Sequence, residues 1–522
     1  MGFFGDHKAK SWQRLSFKNK LTKAGVLAQE QSRSRRLWRL TLTLLFATAV
    51  TLVLSTSAPS TLETYVRLGA AALLLHFVMY LLVRAFHPEV LTTFSRYLAF
   101  IGATLLLAKL MLLSPAISPY MVPLPLLAMI LAVMYGGLVA VHSSLAVAAL
   151  LGLLVHLQQV AAGGVTAPPT VLAPIAIALS QFTGCVIAVL GVRRIRTRTR
   201  LVTVGMTSGA AMAMAALVFH VWGMPQLSVV PKPTALLEPG WALLSGLCSG
   251  VLFTSLLPFM ERIFDLTTEM RLLELADQNR PLLRELSLLA PGSFQHSLMV
   301  GQLAEEAAQS IGANDLLARV GALYHDVGKM LKPNYFIENM RGDENIHDKL
   351  SPEMSRLIII SHVKDGIRIA EEEGLPQPII DMIPMHHGTS IVEYFYHKKR
   401  QLEDKDARLK LSDSGHEAFR YPGPRPTFPE AGILMIADSV EARSRVLQDP
   451  TPARLRTVVR ELIEKKMSDG QLDECELTMN DFSRIEDAFV RVLTSIHHGR
   501  IKYPSQSGGA NERKLEDLRL ER

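Results

Sequence analysis

Cysteine is scarce in this chain: Cys185, Cys248 and Cys475 are its only three, far apart in 522 residues. There is no CxxC pair and no zinc-ribbon spacing, so a disulfide framework and a thiolate zinc site are both excluded. A GxSxG turn is missing, and no cysteine stands in a Cys-His context. That leaves no visible covalent nucleophile for a hydrolase. Runs of β-branched residues are few after Pro291, and the pattern there is helical. The expected fold class is all-α throughout.

Positive charge is also scarce outside one place. The whole chain carries 55 Lys+Arg against 48 Asp+Glu, a formal charge of +7. Residues 1–39 hold ten Lys/Arg against Asp6 and Glu30, which is +8 for that tail alone. The remainder is near neutral, so a nucleic-acid polymer is not an expected partner. A basic segment just before an apolar one reads as a cytoplasmic anchor on anionic lipid. No small-residue cleavage pattern follows it, so a cleaved signal peptide is not expected.

Residues 40–260 are mostly apolar and long enough for about eight spans of roughly 20 residues each. They fall near 40–58, 68–84, 97–114, 120–140, 143–160, 169–192, 201–222 and 239–260. The weakest boundary is the fourth to fifth, near Gly136-Gly137. With eight spans, the basic tail, the loop Arg84–Arg96 and the five arginines of Arg193–Arg200 share one side. The positive-inside rule then puts both termini in the cytoplasm. The ionisable residues inside these spans are His76, Lys109, His156 and His220. No Asp or Glu is expected within a span, which is poor material for a proton or cation pathway.

Residues 261–290 read as a coupling helix with an apolar stripe of Ile263, Leu266, Met270, Leu273, Leu282, Leu283 and Leu286. Ordinary core packing accounts for such a stripe, and it also admits a homodimer. The soluble domain expected beyond it covers 291–503. A tail at 504–522, rich in Gly, Ser and charge, is expected to be disordered, and Gln401–Ala418 to be a mobile insertion.

The chemistry gathers around Tyr324-His325-Asp326-Val327-Gly328-Lys329. An adjacent His-Asp pair offers a nitrogen and up to two oxygens from one short piece of backbone, and the carboxylate can bridge two metals. His296, His362, His386, His387 and Asp438 complete a set of seven candidate ligands. Two metals sharing Asp326 need about that many, whereas a structural zinc site is closed by four ligands, usually including cysteine. His347, His397, His416, His497 and His498 lie in polar contexts and read as surface residues.

This series, from Thr268 to Tyr503, resembles the HD superfamily of metal-dependent phosphohydrolases. It is more closely similar to the HD domain of the seven-transmembrane HD receptors, which include bacterial cyclic di-AMP phosphodiesterases. The likeness runs through Ser293-Phe294-Gln295-His296-Ser297, His325-Asp326-Val327-Gly328-Lys329, Ile360-Ser361-His362-Val363 and His386-His387-Gly388-Thr389. It continues in Phe419-Arg420-Tyr421-Pro422-Gly423-Pro424 and Asp469-Gly470-Gln471-Leu472-Asp473-Glu474-Cys475. The membrane part resembles that family as well, with Ile117–Pro123 as a landmark. Many members carry a large extracytoplasmic domain after the first helix, and here only Pro59–Arg67 stands there.

The resemblance implies a dinuclear iron or manganese site. His296, His325, Asp326 and Asp438 would hold one metal, and Asp326 (bridging), His362, His386 and His387 the other. It implies that Lys329 neutralises phosphate charge, with Asp326 at the catalytic centre. Thr389, Tyr421, Pro422 and Gly423 would lie near the nucleotide. The expected activity is hydrolysis of cyclic di-AMP to linear pApA at the inner membrane of a bacterium, with the HD domain cytoplasmic. Two alternatives stay open: cyclic di-GMP hydrolysis, and a receptor whose HD module only binds nucleotide. The cyclic di-GMP subgroup shows a Gly-Tyr-Pro signature, and Tyr421-Pro422 lacks the preceding glycine.

Overall fold

The computed structural model describes residues 41, 45–54, 62–86, 88–162, 172–192, 195–221, 237–340, 345–405 and 415–498. Among them every regular element is a helix, apart from one isolated antiparallel bridge between Ile391 and Arg420. The chain forms two compact units, Met1–Arg262 and Ile263–Arg522.

The first unit contains α1 (Leu45–Leu54), α2 (Leu62–Phe86), α3 (Phe94–Met111), α4 (Leu124–Tyr135), α5 (Gly137–Ala162), α6 (Leu172–Gly191), α7 (Arg198–Val221) and α8 (Leu237–Phe264). Five of these, α3 and α5 to α8, are long and apolar enough to cross a membrane, and shorter apolar helices stand at 45–54, 72–85 and 119–135. The fourth expected segment is shorter than the sequence pattern indicates. Gly136 has φ 88°, a conformation open to glycine because it lacks a Cβ, and this ends α4 at Tyr135 and lets α5 start at Gly137. Helix α2 begins at Leu62, within the expected spacer.

Helix α8 starts at Leu237, two residues ahead of the expected span at 239, and so takes Glu238 into its first turn, where it is buried. Pro239 follows it. An acid meets the positive end of the helix dipole there, and a proline in the first turn forfeits no helical hydrogen bond. The helix therefore starts ahead of the apolar run. Lys109 is buried on α3. The side chains of His76 and His220 lie outside the described residues.

Two contacts show how this unit packs without water. Helices α7 and α8 touch backbone to backbone: a Cβ on Gly205 would stand 2.5 Å from Gly246 O, and one on Gly246 would stand 2.4 Å from Gly209 Cα. Small residues four apart permit this approach. The Ile117–Pro123 landmark holds only one short 3-10 turn, Pro119–Met121, and carbonyls around it need partners. Gln181 Nε2 lies 3.1, 3.4 and 3.2 Å from the oxygens of Pro119, Tyr120 and Val122, and Ser245 donates to Val122 O at 3.0 Å.

The second unit opens with α9 (Glu269–Leu275) and α10 (Pro281–Leu289), then α11 (Pro291–Ile311), α12 (Asp315–Tyr324), α13 (Pro352–Glu372) and α14 (Gln377–Met385). It closes with α15 (Glu393–Lys405), α16 (Gly415–Ala418), α17 (Pro429–Arg445), α18 (Pro452–Ser468) and α19 (Met479–His498). Prolines at the starts of α10, α11, α13, α17 and α18 pre-set the first helical turn. Asn314, Ser351 and Thr451 accept hydrogen bonds from the orphan amides of Leu317, Met354 and Arg454.

The single coupling helix expected at 261–290 is instead divided. Helix α8 stops at Phe264, Asp265 takes a left-handed φ of 49°, Thr268 caps α9, and a turn at 277–280 precedes α10. Leu272, Leu275, Leu282, Leu283 and Leu286 are all buried against α12 to α14 within this unit's core. Of the expected stripe, Leu282, Leu283 and Leu286 are core residues, whereas Ile263 and Leu273 are exposed, and Leu272 and Leu275 take the buried positions on α9. Residues 1–39 and 499–522, and the middle of the 401–418 insertion, lie outside the described residues.

Candidate metal centre

Five helices converge on one carboxylate. His296 lies on α11, His362 on α13 and Asp438 on α17. His325 ends α12, and Asp326 follows in the turn to a 3-10 segment carrying Lys329. His386 ends α14, with His387 next, and Gly388 at φ 54° turns the chain away. The glycine after the His-Asp pair has its own reason: a Cβ on Gly328 would stand 1.9 Å from His362 O. Only a bare Cα lets α13 press this close.

Asp326 is 1% exposed, and ring nitrogens surround it. His325 Nε2 and His296 Nε2 lie 3.2 and 3.7 Å from its Oδ2, while His362 Nε2 and His386 Nε2 lie 3.5 and 3.8 Å from its Oδ1. Asp438 Oδ1 is 3.0 Å from His296 Nε2 and 3.9 Å from His325 Nε2. His387 joins the other side, its ring centroid 3.9 Å from that of His386 and 5.2 Å from that of His362. Two groups with ligand atoms within 4.8 Å of one another result: His296, His325 and Asp326, and His362, His386 and His387.

The far nitrogens fix the ring states. Nδ1 of His325, His362 and His386 donates to the carbonyls of Ala322, Ile359 and Ile383, at 2.7, 2.5 and 2.5 Å. Each Nε2 is then left with its lone pair aimed inward. Those three Nε2 atoms and Asp326 Oδ1 are buried with no hydrogen-bond partner. Orphaned buried acceptors are costly, at about 1–3 kcal/mol each in mutational data, and four facing one another fit bound cations.

Charge follows the same layout. Burial disfavours the ionised form of Asp326, but the adjoining His325 ring and the Lys329 ammonium outweigh it and hold the carboxyl well below the usual range. Burial pushes the imidazoles of His362, His386 and His387 down, keeping them neutral. His296 goes the other way. Burial opposes its charge, yet hydrogen bonds to Asp438 and Glu441 raise its pKa to about 10. Without metal, a proton on His296 is the positive charge those carboxylates hold.

The structure thus brings together all seven sequence-derived ligand candidates. Lys329 joins them, its Nζ 2.6 Å from Asp326 Oδ2 and 2.8 Å from Glu338 Oε1. Tyr421 stacks on His387 at 4.1 Å and 26°, positioned by its amide donating to Ser390 O. Thr389 is clamped by Gln471, whose Oε1 accepts its amide at 2.9 Å. Pro422 is exposed and Gly423 half-buried beside Thr389. His347, expected at the surface, is 3% exposed: its Nε2 lies 2.8 Å from Tyr335 O, and its ring packs on Phe395.

Sequence reasoning gave no role to Glu441, Glu338 or Gln471. Glu441 Oε2 lies 2.6 Å from His296 Nδ1, and its place three residues after Asp438 on one helical face was the available signal. Glu338 accepts from Ser293 at 2.9 Å as well as from Lys329. It lies in a run of short 3-10 turns with no periodicity to reveal it.

Two stretches of the chain are similar to known proteins. The model of the 7TM receptor with intracellular HD hydrolase matches residues 62–268, and that of the HD domain matches 293–443. The cyclic-di-AMP phosphodiesterase PgpH of Bacillus subtilis (strain 168) is 45% identical over 260 residues, which is 50% of this chain and 35% of that protein. PgpH of Listeria monocytogenes serotype 1/2a (strain 10403S) is 43% identical over 277 residues, 53% of this chain and 38% of its own length. A crystal structure of the L. monocytogenes PgpH HD domain in complex with cyclic-di-AMP is 43% identical and covers 42% of this chain and 99% of that one, with a TM-score of 0.39. The chain spans little more than a third of the length of the curated relatives it matches. Residues 62–268 and 293–443 are thus similar, in chain order, to the two parts of a seven-transmembrane receptor with an intracellular HD hydrolase domain.

Proposed function

We propose that this chain is a membrane-anchored, dinuclear-metal phosphodiesterase that opens a cyclic dinucleotide, cyclic di-AMP to linear pApA. The observation that carries the reading is the ring of partnerless Nε2 atoms around a buried, ionised Asp326. His296, His325, Asp326 and Asp438 would hold one divalent cation, and Asp326, His362, His386 and His387 a second. Iron and manganese both suit this mix of imidazole and carboxylate. Such cations supply Lewis acidity toward a phosphoryl oxygen and a water of lowered pKa.

The protein's own groups do the rest. The backbone-anchored imidazoles stay neutral and fixed in direction. Lys329 is oriented by Glu338 and offers its ammonium to charge developing on phosphoryl oxygens. The Tyr421 ring covers His387 and narrows access on that side. The cyclic di-AMP relatives support the substrate, and the absence of a glycine before Tyr421-Pro422 supports it over cyclic di-GMP. The basic N-terminal tail and the Arg193–Arg200 cluster support a bacterial inner-membrane location with both termini cytoplasmic.

Parallel assays of the full chain on cyclic di-AMP and cyclic di-GMP, with product identification and metal analysis, test this. Faster opening of cyclic di-AMP, lost in His325→Ala and Asp326→Ala, is expected. Faster turnover of cyclic di-GMP would overturn the substrate. Nucleotide binding without hydrolysis would favour the receptor reading.

A further inference from the structure

A cavity of about 530 Å³ lies in the second unit, and three of its lining residues are chain neighbours of residues at the metal centre. Ser439, in its wall, follows Asp438. Ser390 follows Thr389, behind the His386-His387 pair. Arg420 precedes Tyr421, the residue stacked on His387. Three segments that build the centre therefore run on into the cavity, which has the size range of a site for a drug-sized ligand.

Three cations line it, and two are already matched. Arg420 forms a fork with Asp469, at 3.1 and 2.9 Å. Lys465 pairs with Glu393. Lys466 differs. Its Nζ donates to Ser390 Oγ at 3.1 Å, and among the described residues no carboxylate pairs with it. Burial lowers its pKa, with the Asp438 charge opposing the shift. An ammonium held on a hydroxyl in such a place is poised for an anion.

A cyclic dinucleotide carries two phosphodiesters on one ring. A centre that cleaves one must place the other nearby. We infer that Lys466 and Ser390 form a second-phosphate subsite, holding the phosphodiester that is not being cleaved while its twin lies at the Asp326 centre. This rests on the phosphodiesterase reading above. It makes Lys466 a specificity-determining residue, since a diester with one phosphate gains nothing from it.

The test compares cyclic di-AMP with bis(4-nitrophenyl) phosphate, a single-phosphate diester, on the full chain. The readout is the ratio of the two kcat/KM values. Lys466→Met is expected to lower that ratio about tenfold or more, chiefly through KM for the dinucleotide, in the range of a hydrogen bond to a charged group. Lys466→Arg should restore most of it, and Ser390→Ala should lower it by less. An unchanged ratio in Lys466→Met, or an equal loss on both substrates, overturns the subsite. Wild-type protein that cleaves the single-phosphate diester but no cyclic dinucleotide overturns the phosphodiesterase reading and this inference together. Wild-type turnover of cyclic di-AMP with an unchanged Lys466→Met ratio overturns the subsite alone.

Discussion

Glu441 Oε2 and His296 Nδ1 lie 2.6 Å apart, on the side of the imidazole away from Asp326 and Asp438. Arg445 in turn pairs with the other Glu441 oxygen at 2.5 Å. A carboxylate behind a ligand histidine orients the ring and raises its basicity, and removing one typically lowers metal affinity about 10–100-fold. Glu441→Gln should therefore weaken metal binding by roughly that factor, with activity recovering at high metal concentration. Metal titration by calorimetry checks this, and wild-type affinity in the variant would refute it.

The same pair predicts a pH response. His296 has a folded pKa raised to about 10, so its contribution to metal-free stability is full below the unfolded value of about 6.5 and is lost as pH rises toward about 10. His362, His386 and His387 are pushed down, so the unfolded chain takes up protons first and stability falls as pH drops below about 6.5. Metal-free protein should be most stable near neutrality. Metal binding must displace the His296 proton, so affinity should rise between about pH 6 and 9. Melting curves and metal titrations across that range decide it. A metal affinity flat with pH would contradict the assignment of His296 as a ligand.

Much of this was open to a sequence reader, and the reasons are physical. The ligands lie at helix ends or on helices that proline, Asn314 and Ser351 announce, and their residue types state their chemistry. The buried Leu282, Leu283 and Leu286 were legible as a stripe, but Leu272 and Leu275 were missed for Met270 and Leu273, because one period carried through a break shifts the face it marks. The stripe's division at Asp265 depends on one left-handed residue with no glycine to mark it. The start of α8 at Leu237 was set two residues late because hydropathy counts an acid such as Glu238 as a boundary, whereas a helix dipole accepts one in its first turn. Glu338 and Gln471 act through irregular backbone, where no period exists to read.

Lys329 offers a sharper separation of binding from chemistry. Its ammonium sits between Asp326 and Glu338, within 2.8 Å of both. Lys329→Met removes a cation from beside the proposed metals, so metal affinity should hold or rise. If the ammonium stabilises developing phosphoryl charge, kcat should fall about 10²–10³-fold, the usual loss for one such donor. A variant with wild-type kcat would remove Lys329 from the mechanism.

Gly328 and Gly312 make a matched pair for testing packing at the centre. A Cβ on Gly312 meets nothing within 4 Å, and its φ of 81° carries only the left-handed penalty, about 1–2 kcal/mol. A Cβ on Gly328 collides with His362 O and with Gly366 N, at 1.9 and 2.6 Å. Gly312→Ala should lower Tm modestly and keep activity. Gly328→Ala should displace α13 with its His362, with a larger Tm loss and no turnover. Equal melting temperatures for the two would show that the helix does not need this approach.

In the membrane unit the corresponding test is Gly246→Val. A Cβ on Gly246 would stand 2.4 Å from Gly205 O and 2.4 Å from the backbone of Gly209, so no side-chain rotamer relieves the contact. Without a hydrophobic force between helices in lipid, close backbone packing is what holds α7 to α8. The variant should lose thermal stability in detergent, while Gly240→Val, whose Cβ meets nothing within 4 Å, should not. Equal stability of the two variants, measured by thermal unfolding of the purified chain, would mean that α7 and α8 can part without consequence.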